Sequence, residues 1–160
     1  MLVRSSYDEW GWFRTGDLVT VHEDGYLSFV DRAKDMLKVG AENVAASEVE
    51  RVILETGLVR EAAVVGRADD KLDEVPVAFV VALPHARSVA DDVMKACASK
   101  LADFKVPRAV YVVRDLPRST LGKLNKVELR RLAAGDDIAG AEERWLLEAT
   151  ADPSGDAPGR

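Results

Sequence analysis

The sequence is poor in the residues that usually anchor small or catalytic folds. It has one cysteine in 160 residues, so no disulfide can form within the chain. Cys97 falls on the apolar stripe of an expected helix, with Lys95 and Lys100 as its basic neighbours and no histidine nearby, and it reads as a core residue rather than a reactive thiol. The two histidines, His22 and His85, stand apart, and no residues have metal-ligand spacing, so no metal site is expected on this chain. Long hydrophobic runs are missing too. The longest, Val75 to Leu83, contains Pro76 and falls far short of the ~20 residues a membrane helix needs. The opening MLVRSSYDEW lacks the apolar centre of a secretory signal, and a cytoplasmic location is expected. A net charge of -6 argues against a general nucleic-acid binder.

Positive charge is nevertheless concentrated late in the chain, at Lys105, Arg108, Arg114, Arg118, Lys123, Lys126, Arg130 and Arg131. A small polyanionic ligand fits that distribution. The 48% hydrophobic and 31% charged content is that of a globular domain with one core. A chain of this size buries roughly two thirds of the surface it would expose unfolded.

Val19 to Val21 and Tyr26 to Val30 alternate around Asp24-Gly25, which predicts a hairpin. Met36 to Val39 can add a short strand. Ser47 with Glu50 has the form of a capping box, opening a helix that Gly57 closes. Glu61 to Gly66 and Val75 to Leu83 read as buried strands joined by RADDKLDE. Ser88 with Asp91 opens a second capped helix, ending near Asp103. Arg108 to Arg114 is a third strand, and Asn125 with Glu128 starts a third helix. The expected fold is α+β: a small mixed sheet with helices packed on one face, of the split βαβ kind, preceded by a β-hairpin. Ala141 to Ala149 is expected to form a short amphipathic helix, and DPSGDAPGR a disordered end.

Three polar stretches lie in connections, where function concentrates. In RTGDL, Asp17 offers two acceptor oxygens suited to a vicinal diol, although an Asp after Gly is commonly just a turn residue. In DRAKDMLKVGAENV, from Asp31 to Val44, Arg32, Lys34 and Lys38 suit phosphate and sugar oxygens. A solvated charged hairpin explains those charges equally, but not the small residues Gly40 and Ala41 that follow. In LPRSTLGKLNK, Lys123 beside Gly122 suits a clamp for oxygens whose charge shifts during phosphoryl or nucleotidyl transfer. An idle loop lysine is the commoner case.

Taken together, in this order and at these separations, the three stretches are specific. With GWFRTGDL, EVPVAFVV and FKVPRAVYVV they resemble the C-terminal end of the acyl-activating, adenylate-forming ligase superfamily, acyl-CoA synthetase type, over about Gly11 to Ala134. FVDRAKDMLKVGAENV and FKVP are most similar to the carnitine/crotonobetaine-CoA ligase-like group. The resemblance implies that a carboxylic acid and ATP give an acyl-adenylate and pyrophosphate, and that CoA then displaces AMP. It implies that Asp17 and Arg32 hold the AMP ribose, that Lys38 and Asn43 approach the nucleotide, and that Lys34 is the hinge about which the C-terminal domain rotates. It further implies that Lys123 is the adenylation lysine and that Gly40 and Ala41 line the CoA channel. Mg2+ would be held by ATP and the N-terminal domain, not by this chain.

Two departures accompany the resemblance. Gly40-Ala41 stands where the family commonly has two glycines, and the family's large N-terminal domain has no counterpart here. Residues 1–30 are expected to be the end of that domain, 31–134 the mobile C-terminal domain and 135–160 a tail, and the chain alone is expected to be inactive. Two alternatives stay open: an adenylation domain loading a carrier protein, against which Lys34 speaks because such hinges usually carry Asp, and a non-catalytic binding or regulatory module. The acyl substrate and the oligomeric state are not legible.

Overall fold

The computed structural model describes residues 7–135 and 146–151, and the chain divides into two compact units, 1–36 and 37–160. In the first unit, β1 (Asp17–Val21) and β2 (Leu27–Arg32) form an antiparallel hairpin. Its turn follows from Asp24-Gly25: Gly25 has φ +83°, and the Asp24 carboxylate accepts the Tyr26 N–H at 3.2 Å. The register shifts between Leu18 and Val19, an irregularity that re-aims side chains at the open end of a hairpin. A 3-10 turn, Ala33–Asp35, follows β2.

The second unit is built on a six-stranded mixed sheet. A hairpin of β3 (Met36–Val39) and β4 (Glu42–Ala45) joins the start of β6 (Asp73–Ala82) through Val39 opposite Asp73. β5 (Val59–Asp69) runs antiparallel to β6 along its whole length, and β7 (Ala109–Val113) runs parallel to β6 on its other side. The parallel pairing requires a crossover, which α2 (Val89–Lys100) supplies. The acidic stretch expected as a long loop is mostly strand, because Asp69 pairs with Asp73 and leaves only three residues between. The Asp69 carboxylate accepts the Lys71 and Leu72 N–H groups there, and those bonds hold its pKa below the usual carboxylate range.

Every residue of β6 from Val75 to Val81 is buried. Since strand side chains alternate faces, a continuous apolar run means both faces are covered. Val64, Ala78, Val80, Val110 and Val112 lie in one cluster with α1 (Ala46–Leu54) and α2. Ala63, Val65, Val77, Phe79 and Val113 lie in another with Leu129 and Ala133 of α3 (Lys126–Ala134). The expectation of helices on one face therefore holds for α1 and α2, while α3 covers the opposite face. Cys97 is fully buried, and burial pushes its thiol up to about 11.

Pro76 sits within β6 although proline cannot donate to a ladder. Its carbonyl accepts the Arg108 N–H at 2.8 Å on the side of β7, ahead of the Val77–Ala109 pair where β7 pairing starts. The missing N–H faces the same way and deprives no strand of a bond.

Three local expectations are corrected. α1 begins at Ala46 with Ala45 at its N-cap, and no side-chain cap bond forms. Ser47 thus lies within the first turn rather than at the N-cap, and the Glu50 carboxylate pairs with Lys126 and accepts the Val64 N–H. Ser88 occupies the N-cap of α2, but with φ +51° it makes no side-chain cap bond. Between residues 146 and 151 the chain is a strand, β8 (Leu146–Ala151), antiparallel to β7, where a helix over Ala141 to Ala149 was expected. An open edge of β7 offers backbone partners that outweigh weak helical patterning. The rest of the expected tail helix and the end DPSGDAPGR lie outside the described residues. The Asn125 cap of α3 forms as expected, accepting the Glu128 N–H at 3.3 Å.

Candidate functional site

Asp17 and Arg32 face each other across the hairpin. Arg32 Nε lies 3.3 Å from Asp17 Oδ1, with both side chains reachable from solvent. The chain before Asp17 is turned by Gly16, and Ala33 N–H donates to the Gly16 carbonyl at 2.8 Å. One carboxylate oxygen of Asp17 is thus oriented by a guanidinium, and the side chain stays partly open to solvent. Asp31, the buried charged residue of the described chain, accepts the Arg32 N–H at 2.7 Å. Lys34 is exposed in the 3-10 turn, two residues before the division between the units.

Lys38, Gly40, Ala41 and Asn43 belong to the β3–β4 hairpin of the second unit. The Glu74 carboxylate accepts the Lys38 N–H, and the Gly40 N–H donates to the Leu72 carbonyl at 2.6 Å. Gly40 has φ +60°, and a Cβ there would meet the Leu72 side chain at 3.4 Å. Ala41 is exposed and has no positive φ, so alanine replaces the usual glycine without backbone strain. Asn43 is exposed on β4.

Lys123 lies on a tight loop between β7 and α3. Its carbonyl accepts the Ser119 N–H at 2.7 Å, Gly122 N–H donates to Ser119 at 2.9 Å, and Asn125 N–H donates to Pro117 at 2.8 Å. Gly122, at φ +74°, is required to close this loop. The Arg118 guanidinium holds the Gly122 carbonyl at 3.2 Å and pairs with Glu61 on β5. The Lys123 side chain is exposed and joins no ion pair among the described residues. Its main chain is fixed and its ammonium is available.

The structure therefore brings Asp17 together with Arg32, gathers Lys38 to Asn43 on one hairpin, and sets Lys123 on a separate loop of the same unit as that hairpin. Sequence reading missed Glu74, Glu61 and the pairing of Glu50 with Lys126. Gly66 was the available signal for Glu74. A glycine inside a strand marks a close approach, and a Cβ at Gly66 would collide with the Glu74 carboxylate.

Residues 48–123 match the model of the AMP-binding enzyme C-terminal domain. The chain carries an AMP-binding enzyme C-terminal domain. A 2-succinylbenzoate–CoA ligase of Bacillus cytotoxicus is 43% identical over 122 residues, covering 76% of this chain and 25% of that protein. Among solved structures, ATP-bound MatB from Rhodopseudomonas palustris aligns with a TM-score of 0.73 at 36% identity, covering 81% of this chain and 26% of that one. The amide bond synthetase McbA from Marinactinospora thermotolerans aligns at 0.74 and 37% identity, covering 82% and 26%. The chain spans about a quarter of the length of the relatives it matches. The range matched to the AMP-binding enzyme C-terminal domain ends at Lys123.

Proposed function

We propose that this chain is the mobile C-terminal part of an ATP-dependent acyl-CoA synthetase, acting with an N-terminal domain that binds the carboxylic acid. The observation that carries the reading is Lys123, an uncommitted cation on a fixed loop. Adenylation draws a carboxylate onto the α-phosphate of ATP, and pyrophosphate leaves. A cation bridging the two anions lowers that barrier, whereas attack by the CoA thiol on the acyl-adenylate needs the space cleared. A domain that carries Lys123 and turns about Lys34 meets both demands.

In this reading Asp17 accepts from the AMP ribose hydroxyls, with Arg32 beside it, and Lys38 and Asn43 approach the nucleotide. The Gly40-Ala41 turn lines the CoA channel in the rotated state. No group of three or more His, Cys, Asp or Glu is gathered among the described residues, and Mg2+ is assigned to the triphosphate and the N-terminal domain. No helix among the described residues is long and apolar enough to cross a membrane. A cytoplasmic location is part of the proposal.

The test uses the protein in which this chain follows its N-terminal domain. Acids of graded size are supplied with ATP, and acyl transfer to CoA, to an amine and to a phosphopantetheinyl carrier is measured. Thioester formation with CoA is expected. Transfer only to the amine or the carrier, or no adenylate at all, contradicts the reading.

A further inference from the structure

We infer that two ion pairs, Arg118–Glu61 and Lys126–Glu50, form a brace that positions Lys123, so that Glu50 and Glu61 are positioning residues for the transfer step. The inference rests on the role given to Lys123 above. Arg118 lies five residues before Lys123 and Lys126 three after, so the loop is held at both ends. Lys126 Nζ lies 2.8 Å from Glu50 Oε1, with side chains only 15% and 21% exposed. The same oxygen accepts the Val64 N–H of β5 at 2.9 Å. At the other end Arg118 joins Glu61, itself a β5 residue, while its second nitrogen holds the loop carbonyl of Gly122. One end of the Lys123 loop is thereby held on β5 through Glu61, and the other on α1 through Glu50, which itself accepts from β5.

Among the described residues β5 pairs only with β6, so its other edge presents open backbone groups, and Glu50 fills one of them. Edge protection alone would explain the Val64 contact. It does not explain why each carboxylate also takes a cation from a residue flanking Lys123, Glu61 doing so although Arg60 beside it already lies at 3.6 Å. A lysine side chain is long and flexible, and this one has no ion-pair partner of its own among the described residues. Its tip is placed only as well as its main chain is held. A misplacement of about 1 Å in a group that must touch reacting atoms costs on the order of 10²-fold in rate.

Two readouts test the brace. In this chain, amide hydrogen exchange is followed at Gly122 and Asn125, whose N–H groups close the loop. Glu50→Gln and Lys126→Met are expected to reduce protection there at least about tenfold beyond whatever the Val80 and Val112 amides of the sheet lose, since those two report the change in global stability. The partly exposed Glu61→Gln serves where the others fail to fold. In the longer protein, the same variants are expected to lower kcat for pyrophosphate exchange on the order of 10²-fold, with KM for ATP little changed and Lys126→Arg restoring most of the rate. Unchanged protection at Gly122 and Asn125 overturns the brace. So does an unchanged kcat in Glu50→Gln and Glu61→Gln where Lys123→Ala abolishes exchange. If Lys123→Ala itself leaves exchange intact, the role of Lys123 fails, and the amide protection alone then decides whether the brace holds the loop.

Discussion

The two units of this chain use their apolar residues in opposite ways. In residues 37–160, Ile53, Val80, Val110 and Leu129 are fully buried between helices and sheet. In the first unit, Trp10, Trp12 and Tyr26 are each more than 70% exposed, and Leu27 and Phe29 more than 60%. The hairpin is therefore shaped by turn chemistry and cross-strand bonds rather than by an interior of its own, and a two-stranded ribbon of that kind is marginal. Lys123 belongs to the unit with the buried core, whereas Asp17, Arg32 and Lys34 sit on a segment with little interior. Functional motion is drawn from such low-stability segments.

The largest expected break in that comparison comes from cavity formation. Ile53→Ala should destabilise the chain by about 3–4 kcal/mol in a urea melt, whereas Phe29→Ala should cost less than about 1 kcal/mol, since no cavity forms in solvent. Equal losses would show that the hairpin shares a core. Next in size, Lys126→Met leaves Glu50 mostly buried without its cation and should cost about 2–3 kcal/mol. The exposed Arg51–Glu55 pair on α1 should contribute no more than about 0.5 kcal/mol when Arg51→Ala is measured alongside.

Cys97 sharpens the contrast through pH. Its thiol is pushed up to about 11 by burial, from 9.0 for a free thiol. Below pH 9 both folded and unfolded chains keep the proton, and the group contributes no slope. Between pH 9 and 11 the unfolded chain loses the proton while the folded one retains it, so stability falls by about 2 kcal/mol relative to Cys97→Ala. Parallel curves for the two proteins would place the thiol in contact with solvent. The smallest effect is expected at the Gly40-Ala41 turn. Ala41→Gly should cost about 0.5–1 kcal/mol through the unfolded state, because Ala41 is unstrained where it stands.

Much of the fold was legible where chemistry is local. Asp24-Gly25 marked the hairpin, Asn125 with Glu128 the start of α3, and the run from Val75 a buried strand. What failed was tertiary. The Ser47–Glu50 pattern marked a helix start, but the helix begins at Ala46, ahead of Ser47, and Glu50 pairs with Lys126, a partner 76 residues away. Short patterns such as that of residues 146–149 cannot report the open edge of β7 that captures them as strand. The placement of α3 on the second face was implicit in the unbroken burial of β6, since a strand covered on one face would alternate. For the candidate site, residue types and order pointed to Asp17, Arg32 and Lys123. The carboxylates that hold the Lys123 loop were invisible, because their partners are distant in sequence.

Lys123 is exposed and joins no ion pair among the described residues, and the role proposed for it is chemical. The most direct measurement pairs the melting temperature of Lys123→Ala in this chain with pyrophosphate exchange by the same variant in the longer protein. The prediction is a stability change within about 0.5 kcal/mol, as for an exposed substitution, and a loss of exchange of at least about 10²-fold. A variant that melts normally and exchanges pyrophosphate at the parent rate would contradict the account.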